Sequence, residues 1–93
     1  MNPTVLAEGA LKKYLSSLKG WSREGNAIKK RIELKDFVHA MGFVNSVALL
    51  AEKLNHHPDI DIRWNTVTLV LSTHSAGGLT EFDMKLAAMI DAL

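Results

Sequence analysis

The sequence predicts an α+β fold in one domain, with the element order α-β-β-α-β-β-α. Three observations predict it. Apolar residues recur at helical spacing in three separated segments. Between them lie two segments that alternate apolar with polar residues, as half-buried strands do, and each is interrupted where it must fold into a pair. Ninety-three residues leave room for one hydrophobic core and not for a second.

The first helix is predicted over residues 1–20. Asn2 or Thr4 can cap it, and Pro3 suits a first helical position. Leu11, Leu15 and Leu18 share a face, Gly9 weakens the middle, and Gly20 supplies the stop. Trp21 follows as a core anchor. Residues 21–34 predict a hairpin turning at Gly25-Asn26. Ile28, Ile32 and Leu34 alternate there with Lys29, Arg31 and Glu33, and Lys30 breaks the pattern, which implies an edge or a partly wet face.

Residues 36–55 carry the longest helical pattern, with Asp36 in the first turn. Its apolar residues are too many for one face, and only His39, Ser46 and Lys53 form a polar strip. Such a helix should pack on a sheet and also against another helix or subunit. It must end near Asn55, because Pro58 pushes His57 into extended geometry. Residues 60–73 predict two strands. Ile60, Ile62 and Trp64 share one parity, Val67, Leu69 and Leu71 the other, so a bulge or turn falls at Asn65-Thr66. Ser75 to Gly78 is a loop. Thr80-Glu-Phe-Asp83 is a capping box with Leu79 and Met84 as its staple, and it opens a last helix running to about Ala92.

Composition narrows the function. Eleven basic and ten acidic residues give a net charge of +1, which argues against direct nucleic-acid binding. The run Lys29-Lys30-Arg31 is first of all a solvated strand edge. No cysteine is present, so neither a disulfide scaffold nor a thiolate zinc site is available, and a reducing cytoplasmic location is expected. No signal-peptide pattern and no apolar run of membrane-spanning length stands out, so no membrane partner is expected. A domain this small leaves apolar surface uncovered, which favours oligomers.

The chemistry concentrates between Glu52 and Asp83, which hold three of the four histidines. Histidine changes charge near neutral pH without help. Glu52 and His56 are four apart and share a face if the helix persists, which would make His56 a competent acid. His57 must point elsewhere, and His74 ends a strand at a glycine-containing loop. Three readings of this set stand side by side. The histidines only cap and bridge; or His56, His57, His74 and Asp59 or Asp61 hold a metal, against which stands the lack of a His-x3-His spacing; or they perform acid–base catalysis. There is no Gly-x-Ser-x-Gly, phosphate loop or dinucleotide fingerprint.

The spaced set Glu52-x3-His56-His57-Pro58-x5-Trp64-x9-His74-x8-Asp83 resembles the signature of the pterin-4a-carbinolamine dehydratases. Gly20-Trp21, Leu34-Lys-Asp-Phe37, Ala51-Glu-Lys-Leu54, Leu71-Ser-Thr-His74 and Gly78-Leu-Thr80 are also similar to that family. The resemblance covers nearly the whole chain from Trp21 onward. It implies a four-stranded antiparallel sheet with three helices packed on one face. It also implies dehydration of 4a-hydroxytetrahydrobiopterin, the pterin-4a-carbinolamine, to the quinonoid dihydropterin in tetrahydrobiopterin recycling, with no metal and no organic cofactor. By resemblance, His56, His57 and His74 supply the acid and base and Glu52 orients the site. Substrate contacts then fall at Pro58, Thr73, Ser75 and Ala76, with Trp21 and Trp64 as aromatic positions near the pocket. Asp83 belongs to the signature, and its capping role explains it equally well. Phe82 departs from an Arg of some animal members, which puts a pocket-edge contact from that position in doubt. The resemblance implies a pterin substrate and a homodimer or homotetramer. Animal members resemble one another in a second role, stabilising dimers of a homeodomain transcription factor, so a non-catalytic interaction module on the same scaffold is the alternative.

Overall fold

The computed structural model describes residues 3–93 of the chain. Its elements run α1 (Glu8–Ser17), β1 (Ser22–Glu24), β2 (Ala27–Glu33), α2 (Phe37–Leu54), β3 (Asp59–Arg63), β4 (Thr66–Leu71), a 3-10 turn (His74–Ala76) and α3 (Glu81–Asp91). The order is the predicted one. The four strands form one antiparallel sheet with spatial order β1-β2-β4-β3.

Register explains the two faces of the sheet. Ile28 pairs with Leu71, Lys30 with Leu69 and Ile32 with Val67, and β3 adds Ile60 beside Leu69 and Ile62 beside Val67. Side chains alternate across a strand, so these residues share the inner face. Lys29, Arg31, Asp61, Arg63, Thr66 and Thr68 take the outer, polar one. All three helices contribute to a single core on the inner side: Leu11 from α1, Ala40, Val47 and Ala51 from α2, and Met84, Leu86, Ala87 and Ile90 from α3.

Lys30 does not mark a wet edge. It occupies an inner position on a central strand, and its Nζ lies 2.7 Å from Asp91 Oδ1. Asp91 also accepts the Lys19 backbone N–H at 2.8 Å and Trp21 Nε1–H at 2.9 Å. An unpaired charge there would cost several kcal/mol; a carboxylate with three donors removes that penalty. Burial pushes the Asp91 carboxyl up, and the hydrogen bonds from Lys30, Lys19 and Trp21 outweigh it, leaving the group below the usual carboxylate range.

Two further expectations are corrected. The first helix starts at Glu8, not near residue 1, and Ala7 stands at its N-cap without a side-chain bond. Pro3 and Thr4 precede it in a non-helical segment whose Leu6 N–H donates to Leu79 O at 2.8 Å, a bond that ties the backbone away from helix; Asn2 lies outside the described residues. The turn between β3 and β4 is Trp64-Asn65, one residue earlier than the parity shift suggested. Trp64 takes a left-handed φ of 53° and is 70% exposed, so it is a turn residue and not an inward strand residue. Buried Asn65 holds the turn by donating from Nδ2 to Leu34 O at 3.0 Å.

Helix α2 begins at an Asp36 N-cap whose side chain accepts the His39 N–H at 2.8 Å. It packs on β4 and α3. The expected packing on a sheet and on another helix is thus met, and Val38, Met41 and Leu49 on the opposite face stay exposed. By length and composition alone this 18-residue helix could cross a membrane, but so could many core helices, and its inner face is the core of the domain.

Candidate active site

The site is built where α2 ends, β4 ends and α3 begins. Asn55 closes α2 in the left-handed region (φ 49°, ψ 45°), a conformation that asparagine tolerates. Its N–H and that of His56 return to Glu52 O and Ala51 O at 3.2 and 3.0 Å. This reversal takes His56 off the helical face and aims it at α3. The Thr80 capping box puts Asp83 in the first turn of α3, with Leu79 and Met84 buried beneath it.

His56 Nε2 lies 2.6 Å from Asp83 Oδ1. Asp83 is fully buried. Its second oxygen, Oδ2, accepts the Thr73 hydroxyl at 2.8 Å and the Thr80 N–H at 2.9 Å. The Thr73 proton is therefore committed, so the 2.8 Å contact between the two threonine hydroxyls has Thr80 as donor. A carboxylate only accepts, so this network assigns the N–H of neutral His56 to Nε2 and leaves Nδ1 as its acceptor. Among the described residues no buried side-chain polar atom lacks a partner. Asp83 thus caps α3 and orients His56 at once.

Glu52 does not pair with His56. It pairs with His57, its Oε2 against Nε2, because the left-handed Asn55 ends the four-residue helical geometry before position 56. Both partners are exposed. Pro58 is half-buried and leads into β3. His74 opens the 3-10 turn and is exposed, with Nε2 3.5 Å from Ser72 Oγ, the outer limit of a hydrogen bond. A cavity of about 230 Å³ beside it is lined also by Asn26, Ala27 and Ser72, and by neither His56 nor His57. Ser75 and Ala76 follow on the same turn, Ser75 exposed and Ala76 half-buried.

The structure separates the other expected residues. Thr73, expected at the substrate, is buried with its hydroxyl on Asp83. Trp21 is buried and bound to Asp91, with Lys30 Nζ 5.9 Å from its ring centroid. Trp64 stands at the far end of β4 from His74, with the whole strand between them. Two side chains not counted among the expected site residues, Thr80, read as a helix cap, and Phe82, whose pocket-edge contact was in doubt, enter the site. The Thr80 hydroxyl completes the network, and the N-cap position was its signal. Phe82 sets its ring against His56, centroids 5.9 Å apart and planes at 35°. Among the described residues no three His, Asp or Glu side chains are grouped to hold a metal ion.

Residues 4–93 match the family described as pterin 4 alpha carbinolamine dehydratase. A protein of Roseiflexus sp. (strain RS-1), provisionally named as a pterin-4-alpha-carbinolamine dehydratase, is 51% identical over 90 residues that cover 97% of each chain. One from Sulfurisphaera tokodaii with the same provisional name is 44% identical over 88 residues, 95% of each chain. The structure is similar to a crystal structure described as a transcriptional coactivator/pterin dehydratase from Brucella melitensis, with a TM-score of 0.92 and 40% identity over 96% of this chain and 97% of that one. A pterin dehydratase-like protein identified as a RuBisCO assembly factor in the alpha-carboxysome shares the fold, with a TM-score of 0.64 and 22% identity over 85% of this chain and 90% of that one.

Proposed function

Because the chain belongs to the pterin 4 alpha carbinolamine dehydratase family, we propose that it removes water from 4a-hydroxytetrahydropterin to give the quinonoid dihydropterin, in tetrahydrobiopterin recycling in the cytoplasm. The reaction breaks the bond from C4a to its hydroxyl, which leaves as water after gaining a proton, and removes the proton on N5. One group must give a proton and another must take one.

The His56–Asp83 pair carries this reading. An imidazole whose Nε2–H is held by a buried carboxylate presents Nδ1 as a proton acceptor, which suits removal of the N5 proton. His74, exposed to solvent from which it can be reprotonated, is proposed as the acid at the leaving hydroxyl. His57 with Glu52 lies at the rim and tunes binding. Pro58, Ser75 and Ala76 are proposed to face the pterin ring, and Thr73 and Asp83 to act through His56.

Turnover of freshly generated 4a-hydroxytetrahydropterin, followed by absorbance against the uncatalysed dehydration, tests this. Acceleration over background is expected, falling by about 10²–10⁴ in His56→Ala and in His74→Ala. Wild-type turnover in both variants overturns the assignment. A second reading, an interaction module, is favoured by the exposed apolar face of α2 at Val38, Met41 and Leu49, which equally suits a homodimer or homotetramer. Under it, a well-folded protein accelerates nothing and still assembles through α2.

A further inference from the structure

Asp83 holds the His56 imidazole along one edge, Nε2 to Oδ1 at 2.6 Å. One hydrogen bond fixes a point, not a plane. The outer torsion of a histidine side chain has broad wells. A ring tethered only at Nε2 can therefore rock about that bond and swing Nδ1 with it. A second contact, on the face of the ring, stops the motion, and Phe82 makes it. The two ring centroids are 5.9 Å apart with planes at 35°, inside the range in which aromatic rings attract one another.

Phe82 and Asp83 are consecutive, in the first turn of α3, and one cap sets them both. The Thr80 hydroxyl accepts the Phe82 N–H at 3.3 Å, and the Thr80 N–H donates to Asp83 Oδ2 at 2.9 Å. The same turn thus meets the imidazole on its edge and on its face. Phe82 is 43% exposed and stands outside the hydrophobic core, which Leu79, Met84 and Leu86 fill around it, so its contact with His56 is not a by-product of core packing. Resting on the dehydratase reading, we infer that Phe82 is a positioning residue. It acts through His56, fixing the plane of the imidazole so that Nδ1 points to the N5 proton, and does not itself touch the reacting atoms. What the role needs at position 82 is a flat ring, not apolar bulk.

The test separates the ring from the bulk. Phe82→Leu keeps an apolar side chain without a flat face, and Phe82→Tyr keeps the face. Both changes fall at a partly exposed position outside the core, so the fold is kept. Turnover of 4a-hydroxytetrahydropterin gives kcat and KM for each protein. Proton NMR follows the downfield imidazole N–H of His56, identified by its loss in His56→Ala. Phe82→Leu should lower kcat by about tenfold with KM within about twofold of the wild type. Its N–H signal should broaden as the ring rocks and the bond opens to water. Phe82→Tyr should recover most of kcat and a sharp signal. An unchanged kcat in Phe82→Leu, a signal as sharp there as in the wild type, or a loss that Phe82→Tyr does not recover overturns the inference. A rise in KM alone also overturns it, and makes Phe82 a surface that binds substrate. Where the wild type accelerates nothing, the dehydratase reading fails by itself, and the N–H signal still decides whether Phe82 fixes the ring.

Discussion

His56 and His57 are neighbours in the chain, and each sets Nε2 against a carboxylate, yet the two pairs differ in kind. The His56–Asp83 side chains are 12% and 0% exposed; those of His57 and Glu52 are 57% and 75% exposed. Asp83 is held by Thr73 and Thr80 and has nowhere else to go. Glu52 is a helix-end side chain in water, free to leave its partner. An exposed pair of this sort contributes about 0–1 kcal/mol, whereas breaking a buried one costs about 3–5 kcal/mol. The difference teaches that orientation of an imidazole is supplied by what fixes its carboxylate, not by the presence of a carboxylate.

The largest effect expected from this contrast is on turnover. Asp83→Asn keeps the shape but puts an amide against His56, so kcat should fall by about 10²–10⁴, the scale of one positioned acid or base. Glu52→Gln should lower it by less than tenfold. Equal losses measured side by side would erase the distinction between the pairs.

Next comes Thr73→Val, which leaves Asp83 Oδ2 with one donor fewer in a buried place. Urea unfolding should report a loss of about 1–3 kcal/mol, and kcat should fall while KM holds. A variant as stable and as active as the wild type would mean that Thr80 alone suffices.

The smallest effect on turnover sharpens the comparison with a third carboxylate. Asp91 is largely buried, though less than Asp83, and has no histidine partner; its donors are an amine, a backbone amide and an indole N–H. Its pKa is lowered by folding, so its contribution is full above the ordinary aspartate value of about 3.9 and is lost as pH falls through the folded value. The stability gap between wild type and Asp91→Asn should therefore close progressively as the medium is acidified below about pH 4, with neutral-pH turnover unchanged. A gap that stays constant into acid would show that the Asp91 carboxyl titrates alike in the folded and unfolded chain.

Much of this architecture was legible in local pattern. The alternation of Ile28 and Ile32 against Val67, Leu69 and Leu71 announced two central strands with one apolar face, and the Thr80 capping box located α3. What pattern could not give was anything decided by distant chain. Lys30 looked like a break in a strand because its partner, Asp91, is 61 residues away. Trp64 kept strand parity in sequence and lost it to a turn whose geometry Asn65 sets through Leu34. In the candidate site, the spacing of His56, His57, His74 and Asp83 pointed to the place where α2 ends, β4 ends and α3 begins. The exchange of partners, Asp83 to His56 and Glu52 to His57, depended on one left-handed residue, Asn55, which helical periodicity does not reveal.

The Asp91 knot has a consequence for how the protein is made. Two of its donors, the Lys19 N–H and Trp21 Nε1, come from residues 72 and 70 positions earlier in the chain. The helix that carries Asp91 also brings Met84, Leu86, Ala87 and Ile90 to the core. A ribosome adds about 5–20 residues per second, so roughly one to four seconds separate β4 from the completion of α3. Until that helix is available, the inner face of the sheet lacks its last apolar cover and Lys30 its counter-ion. One helix thus supplies both the last cover of the core and the charge that Lys30 needs there.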